Sequence, residues 1–489
     1  MSTWDISRYF DAECLIDVMN ELHKNEARGK LYRLIYKMNK NTKIRVQTPV
    51  RLTEAVDTGE GLGQGTIEGA LASAINLDNG VRDFFENSDD EMYYLGIQLA
   101  PLLFQDDVAR LSLNVSAAQM GNSRMENVAE TKLLDFNLEK SCYTIFGSNR
   151  RRQEIEEELR NTPLILGGKK MVKENSIKYL GDILSSKGLA ESAESTINSR
   201  EGLTKRAIYD IRSIIDDCRI HLTGGLKSGL ELWELSVIPS LLNNAETWQD
   251  IKTRSVNKLE KLQITFLRCL FAVGSGCPTP LLYSETGTVL MEFRILKKKL
   301  MFLHHLYNLP NTSLAYEVLS CQAANDLPGI IHECKNFLDK FNLNDLTLYS
   351  KSQFKRIVNS NINVLNRQKL IQQVKSKQYK KIDIAKFESD RFEVKPYILN
   401  LNVTDARLKF KINSYMVPTI KMNFQSDFGF SNKLWACDDC LENKGIGNRD
   451  SQNHVINCSA YKDFRQNKNL NCDRDLIDYY KLVLKRRSR

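Results

Sequence analysis

The stretch "LLFQDDVARL" (residues 102–111) decides how the first part of the chain reads. Apolar residues on both sides of two adjacent carboxylates, Asp106 and Asp107, spell strand, tight turn, strand. Burying an unpaired charge is expensive, and two like charges side by side cost more. An Asp-Asp pair can be plain turn chemistry, because these side chains bond the neighbouring backbone. The flanking strands offer a second reading, in which a sheet edge holds both carboxylates in a fixed place for divalent cations to neutralise. Mg²⁺ favours oxygen ligands, often one or two carboxylates plus substrate phosphates. A pair of such ions stabilises both the attacking and the leaving oxygen in phosphoryl transfer.

That second reading needs another carboxylate, and "WDISRYFDAE" (4–13) offers Asp5 in a short apolar stretch ahead of a helix. Between the two acidic sites lies "TGEGLGQG" (58–65). Its glycines let backbone approach a substrate, and Gln64 can hydrogen-bond a base, sugar or phosphate; the alternative is a simple turn. Residues 12–37 carry helical apolar spacing with Gly29 as the expected break. "TKIRVQTPVRL" (42–52) alternates like a strand, 93–113 reads as a hairpin, 117–138 as a helix, and "KSCYTIFG" (140–147) and "IKYLGDIL" (177–184) as short strands. Helices mixed with a small sheet give an α+β unit over 1–190. Residues 191–345 read as almost wholly helical, 346–430 as a polar helical connector, and 431–489 as a small unit with a basic tail.

At 489 residues the chain exceeds a single core, so several domains are expected. No apolar run is long enough to span a bilayer, and the first residues lack a secretory pattern, which points to cytoplasm or nucleus and away from secretion or membranes. The net charge of +9 permits a nucleic-acid partner without demanding one. Positive charge clumps at "NRRRQ" (149–153), at "RILKKKL" (294–300) and in the final residues; each clump is either a binding patch or a solvated face.

Most of the eleven cysteines sit in apolar runs and read as buried thiols. The exception is Cys437, Cys440, His454 and Cys458, spaced C-x2-C-x13-H-x3-C. Three thiolates and an imidazole make a closed, structural Zn²⁺ site, against the alternative of four independent side chains. His304 and His305 read as core or surface residues rather than ligands.

The ordered series "DISRYFD" (5–11), "TGEGLGQGTIEGAL" (58–71), "FQDDV" (104–108), "FNLEKS" (136–141) and "IKYLGDIL" (177–184) resembles the palm motifs of reverse transcriptases, most closely those of non-LTR (LINE-like) retrotransposons. More loosely, residues 266–306 resemble the helical region that follows the palm in that family. The resemblance implies a right-hand polymerase palm, an all-helical thumb-like region and a C-terminal zinc-knuckle-like unit. The implied activity is RNA-directed DNA polymerisation, with an RNA template, a DNA primer and dNTPs as partners. By position, Asp5, Asp106 and Asp107 match the Mg²⁺-binding aspartates and Lys140 a proton donor to pyrophosphate. Phe10 matches the aromatic gate against a ribose 2′-OH, and Gln64 and Gly65 the loop on the nascent base pair. Tyr179, Leu180 and Gly181 match the hairpin that grips the primer end. Arg294, Lys297, Lys298 and Lys299 become candidates for duplex phosphates. LINE-like elements also often end in a Cys-Cys-His-Cys unit with a tail like "CSAYKDFR" (458–465).

The sequence departs from the family in having Gly69 and Ala70 where Ser-Pro is usual and Gln105 where many relatives have Ala. Only four residues precede Asp5, so the expectation is an element truncated before the palm, lacking fingers and endonuclease, or an incomplete gene model. Two rivals follow: a catalytically inactive nucleic-acid-binding remnant of the same element, and a host-adopted structural protein.

Overall fold

The computed structural model describes residues 1–57, 61–63, 66–85, 92–217, 223–377, 382–414, 416, 452–458, 461–466 and 468–487. The chain is α+β and forms two compact units. The first comprises Met1–Thr196, Trp248–Asp250 and Asn308–Gly329; the second comprises Ile197–Thr247, Ile251–Tyr307 and Ile330–Arg489.

The first unit opens with strand β1 (Ser2–Ser7), whose strict alternation of buried and half-buried residues points Trp4 and Ile6 into a core and Thr3, Asp5 and Ser7 away from it. A short helical turn α1 (Tyr9–Ala12) leads into α2 (Leu15–Lys24) and α3 (Gly29–Asn39). The break expected at Gly29 falls earlier. Asn25 closes α2 by donating its backbone N–H and its side-chain Nδ2 (2.9 Å) to the Glu21 carbonyl, and Gly29, at φ 75°, instead starts α3. The alternating stretch 42–52 yields β2 (Lys43–Ile44), paired with β3 (Val56–Asp57), and an isolated bridge between Gln47 and Leu52; Ile44 and Val56 face each other but stay exposed.

Helix α4 (Ile67–Phe85) follows the glycine-rich loop. The expected single hairpin over 93–113 is two: β4 (Met92–Tyr94) with β5 (Ile97–Leu99), then β6 (Leu102–Phe104) with β7 (Asp107–Arg110). Leu95 and Gly96, both at positive φ, make the first turn, and Pro101 separates the pairs. Then come α5 (Val115–Lys132), β8 (Asp135–Phe136), β9 (Cys142–Tyr143) and α6 (Asn149–Asn161). The basic clump at 149–153 is the first turn of α6, capped by Ser148 and answered by Glu154, which pairs with Arg150 at 3.2 Å. Strands β10 (Ile165–Leu166), β11 (Lys169–Lys170) and β12 (Val172–Lys173) precede a hairpin of β13 (Ser176–Tyr179) and β14 (Asp182–Ser185). Residues 177–184 are thus two strands and not one, because Leu180 and Gly181, at φ 48° and 86°, reverse the chain.

The main sheet runs β12-β9-β1-β7-β6, with β8 continuing beside β1. All its pairings are antiparallel except β12 with β9. Trp4, Ile6 and Val108 on its inner face meet Leu77 and Val81 of α4 and Met125 and Val128 of α5. The buried Trp4 indole donates to Asn122 Oδ1 at 3.1 Å, so its polar edge is satisfied as well as its rings packed.

Helix α7 (Leu189–Asp217) carries the chain out of the first unit. The second unit is helical throughout its described residues: α8 (Gly225–Leu232), α9 (Ile238–Leu241), α10 (Thr253–Phe271), α11 (Thr279–Thr286) and α12 (Met291–Tyr307). After α13 (Leu314–Ala324) in the first unit it continues with α14 (Ile330–Lys340), α15 (Lys351–Lys377) and shorter helices to Asn413. Its core contains stacked pairs, Trp233 on Phe266 at 4.3 Å and Phe271 on Phe410 at 3.8 Å. Helices Gln452–Asn457 and Asp473–Arg487 enclose a small cluster of Val455, Cys458, Tyr461, Tyr479 and Tyr480. No helix among the described residues is long and apolar enough to cross a membrane.

Candidate active site

Strand pairing brings the separated aspartates together. In the β1–β7 ladder Trp4 stands opposite Val108, both in the core, and the next register position sets Asp5 opposite Asp107 on the outer face. Asp106 follows Gln105 in the two-residue turn from β6 to β7. Gln105 holds φ 56°, a left-handed conformation that disfavours side chains other than Gly, Asn and Asp by about 1 kcal/mol.

Asp5 is held from its other side by the β8–β9 connection. Its carbonyl accepts from Asn137 N–H at 2.8 Å, and its own N–H donates to Ser141 Oγ at 3.1 Å. The same connection delivers Lys140, whose Nζ lies 3.8 Å from Asp5 Oδ1. Burial pushes the Asp5 carboxyl above its usual range, Lys140 opposes this, Asp106 adds to it, and Asn137 opposes it by hydrogen bonding. Asp107 is raised by burial, then by Asp106 and Asp5, with Lys178 opposing. Burial is thus the leading cause of both shifts, and repulsion from the neighbouring carboxylates adds to it.

Asp5, Arg8, Tyr9, Phe10, Asp11, Asp106, Asn137 and Lys140 share an open cavity of about 420 Å³. Phe10 therefore lines the same space as Asp5 and Asp106, whereas Asp107 is not part of its wall. The loop after α3 lies directly on its backbone: Leu62 N–H donates to the Phe10 carbonyl at 2.7 Å and Gly61 N–H to the Glu13 carbonyl at 3.1 Å. A Cβ at Gly61 would stand 2.9 Å from the Phe10 oxygen, and the residue sits at φ 98°, so only glycine fits. Gln64 and Gly65 lie outside the described residues. Tyr179 stands just before the β13–β14 turn at Leu180 and Gly181; burial pushes its phenol up, and the charge of Asp107 adds to this.

The chemistry of the donor set, oxygen-only and electrostatically strained, suits Mg²⁺. Among the described residues no three His, Cys, Asp or Glu side chains are gathered as a metal cluster. Asn137 and Arg8, which line the cavity, were not candidates from the sequence; Asn137, three residues before Lys140, belongs to the same connection and could have been considered with it.

The basic run on α12 is arranged differently from a free patch. Arg294 pairs with Glu234 (2.7 Å), Lys298 with Glu246 (2.9 Å) and Lys299 with Glu333 (2.7 Å). Lys299 is buried. Lys297 is half-buried, and burial followed by repulsion from Lys355 and Arg294 lowers its ammonium pKa. His304 is a core residue, its Nε2 2.8 Å from the Tyr349 carbonyl and its ring stacked on Phe354, while His305 is exposed.

Of the cysteine cluster, Cys437 and Cys440 lie outside the described residues. His454 sits in helix Gln452–Asn457, and the buried Cys458, four positions after His454, directly follows that helix. Arg465 Nη1 donates to the Ile456 carbonyl at 3.1 Å and the Cys458 carbonyl at 2.6 Å, which fixes the turn bearing Cys458.

In comparisons with known proteins, the chain matches no family model and no curated protein.

Proposed function

We propose that the chain is an RNA-directed DNA polymerase of the LINE-like kind, its first unit a polymerase palm that extends a DNA primer on an RNA template. The observation that carries this reading is the register of β1 and β7, which sets Asp5 opposite Asp107 beside Asp106. Asp5, Asp106 and Asp107 would hold Mg²⁺, which supplies charge neutralisation at the reacting phosphate. The primer 3′-hydroxyl gives up its proton to solvent as its oxygen bonds to the α-phosphorus of a dNTP, the bond from that phosphorus to the oxygen bridging to the β-phosphorus breaks, and pyrophosphate leaves. Lys140 donates a proton to the departing pyrophosphate, Phe10 excludes a 2′-hydroxyl, and the Tyr179–Gly181 turn holds the primer end. The protein contributes mainly position and charge.

Zn²⁺ on Cys437, Cys440, His454 and Cys458 would tie down the C-terminal residues as a structural site. The four-residue step from His454 to Cys458 and the Arg465 bonds to the Cys458 turn support this.

Primer extension on poly(rA)/oligo(dT) with Mg²⁺ tests the reading. Wild type should extend, and the Asp106→Asn/Asp107→Asn double variant should fold and not extend. Extension by both defeats the carboxylate assignment; extension by neither, with duplex binding retained, favours the inactive remnant.

A further inference from the structure

Glu13 is fully buried in the first unit, yet it carries a carboxylate. Ser73 Oγ donates to its Oε2 and Asn76 Nδ2 to its Oε1 at 3.1 Å. Both donors are on α4, the helix that the glycine-rich loop enters. Tyr9, four residues before Glu13, sends its hydroxyl to the Ser73 carbonyl at 2.5 Å. Asn76 Oδ1 in turn accepts from the buried Lys132 Nζ of α5 at 2.9 Å, and Lys132 pairs with Glu21 of α2 at 3.0 Å. A buried carboxylate is tolerated only when its lone pairs are satisfied, and here the partners come from one particular helix.

The bonds form a closed ring. From Phe10 the path runs through Leu62 N–H to Gly63, across the bond from Thr66 N–H to the Gly63 carbonyl (3.2 Å), along α4 to Ser73 and Asn76, and back through Glu13 to the segment that carries Phe10. Arg8, at φ 49°, begins that segment in a left-handed conformation, so the turn between Asp5 and Phe10 has a preference against its own shape. The Arg8 carbonyl accepts from Asp11 and Ala12 N–H at 2.9 Å each, which ties the turn to the segment inside the ring.

We infer that Glu13 is a positioning residue that clamps the Phe10 segment to the Gly61–Gly63 loop and α4, and thereby sets discrimination against ribonucleotides. This rests on the polymerase reading of the neighbouring carboxylates. Phe10 can reject a 2′-hydroxyl only if its ring is fixed relative to Asp5, and misplacement by an ångström costs about a hundredfold in a positioned reaction.

The test compares wild type with Glu13→Gln and Glu13→Leu in the full chain. Primer extension on poly(rA)/oligo(dT) gives kcat/KM for dUTP and UTP, which differ only at the sugar. Amide hydrogen exchange is followed at Gly61 and Leu62, with α5 as the folding control. Gln keeps one acceptor for Asn76 and can donate to the Ser73 hydroxyl, so Glu13→Gln should retain the wild-type ratio. Glu13→Leu should lower the dUTP/UTP ratio by about ten- to a hundredfold, mostly through a lower KM for UTP, and lose protection at Gly61 and Leu62 while α5 keeps its own. An unchanged ratio in Glu13→Leu overturns the inference, as does equal loss of protection in α5, which would mean a general structural role. If wild type extends no primer, the polymerase reading falls instead; the exchange data then decide the clamp, and unchanged protection at Gly61 and Leu62 overturns it.

Discussion

Replacing Asp107 by Asn should stabilise the protein in the absence of divalent cations and destabilise it, relative to wild type, in their presence. Asp107 faces Asp5 across the β1–β7 ladder and adjoins Asp106 in sequence. Like charges directly opposite in a sheet destabilise by roughly 0.2–1 kcal/mol. Asp106 adds a second repulsion, and solvent exposure of Asp107 discounts both. The net gain for Asp107→Asn is about 1 kcal/mol, or about 2–4 °C in the melting temperature of a unit this size. The sign with pH follows from the raised carboxyl of Asp107. A carboxylate held above its unfolded pKa contributes stability that is present below about pH 4 and lost as pH rises through the folded value. The advantage of Asn should therefore be full at neutral pH and gone in acid.

Mg²⁺ should reverse the order. At roughly ten times its dissociation constant a ligand of the native state adds about 1.4 kcal/mol, more than the repulsion it removes. Thermal unfolding with EDTA and then with Mg²⁺ reads both effects, and the two melting curves should exchange places. A lower melting temperature for Asp107→Asn in EDTA would mean that the pair is ordinary turn chemistry. An equal Mg²⁺ shift in both proteins would mean that the ion binds elsewhere.

Glu260 supplies a second pH test, in the second unit. Burial raises its carboxyl to about 7, against the opposing Met291 N–H, which donates to Oε2 at 2.8 Å. Its stabilising contribution should be complete below about pH 4.5 and lost as pH rises through about 7, amounting to about 3 kcal/mol, so urea midpoints should fall between pH 6 and pH 9; an equally steep fall in Glu260→Gln would remove Glu260 as the cause. Lys299→Met should cost about 3 kcal/mol by removing the buried half of its ion pair with Glu333, yet leave the salt dependence of duplex binding unchanged, since a buried ammonium cannot meet phosphate; a shallower salt slope would contradict this. Cys458→Ser should abolish bound zinc as read by elemental analysis, with the melting of the first unit unaltered; zinc retained at the wild-type amount would rule out the proposed ligand set.

The site was legible where chemistry and local pattern coincide. Asp106 and Asp107 between apolar runs demand an explanation within a few residues, and the structure answers with a hairpin. The β1–β7 register was not legible, because it depends on pairing across the chain and a one-residue slip would turn Asp5 into the core. Glu13 was missed for the same reason: its partners Ser73 and Asn76 are distant in sequence, and an acid in a helix-forming stretch ordinarily faces water. Lys299 is the instructive opposite. Met291, Ile295, Lys299 and Leu303 recur at four-residue intervals and are all buried, so the stripe already set Lys299 on the inner face of α12. Counting cations along the helix concealed what spacing around it disclosed.

The same distinction governs how firmly the aspartates are placed. Asp5 lies, with Trp4, in the two-residue gap of β1 where the ladder to β9 has ended and that to β8 has not begun, since β9 pairs with Ser2 and Thr3 and β8 with Ile6 and Ser7. A strand left open there would present unsatisfied backbone and a mobile side chain. The connection 137–141 fills the gap, bonding both backbone groups of Asp5 and bringing Lys140 to its carboxylate. The interruption of the ladder is thus what admits a cation beside Asp5, and the bonds from Asn137 and Ser141 keep that interruption rigid. A continuous ladder would have held Asp5 equally still but left no room for Lys140 to enter from that connection.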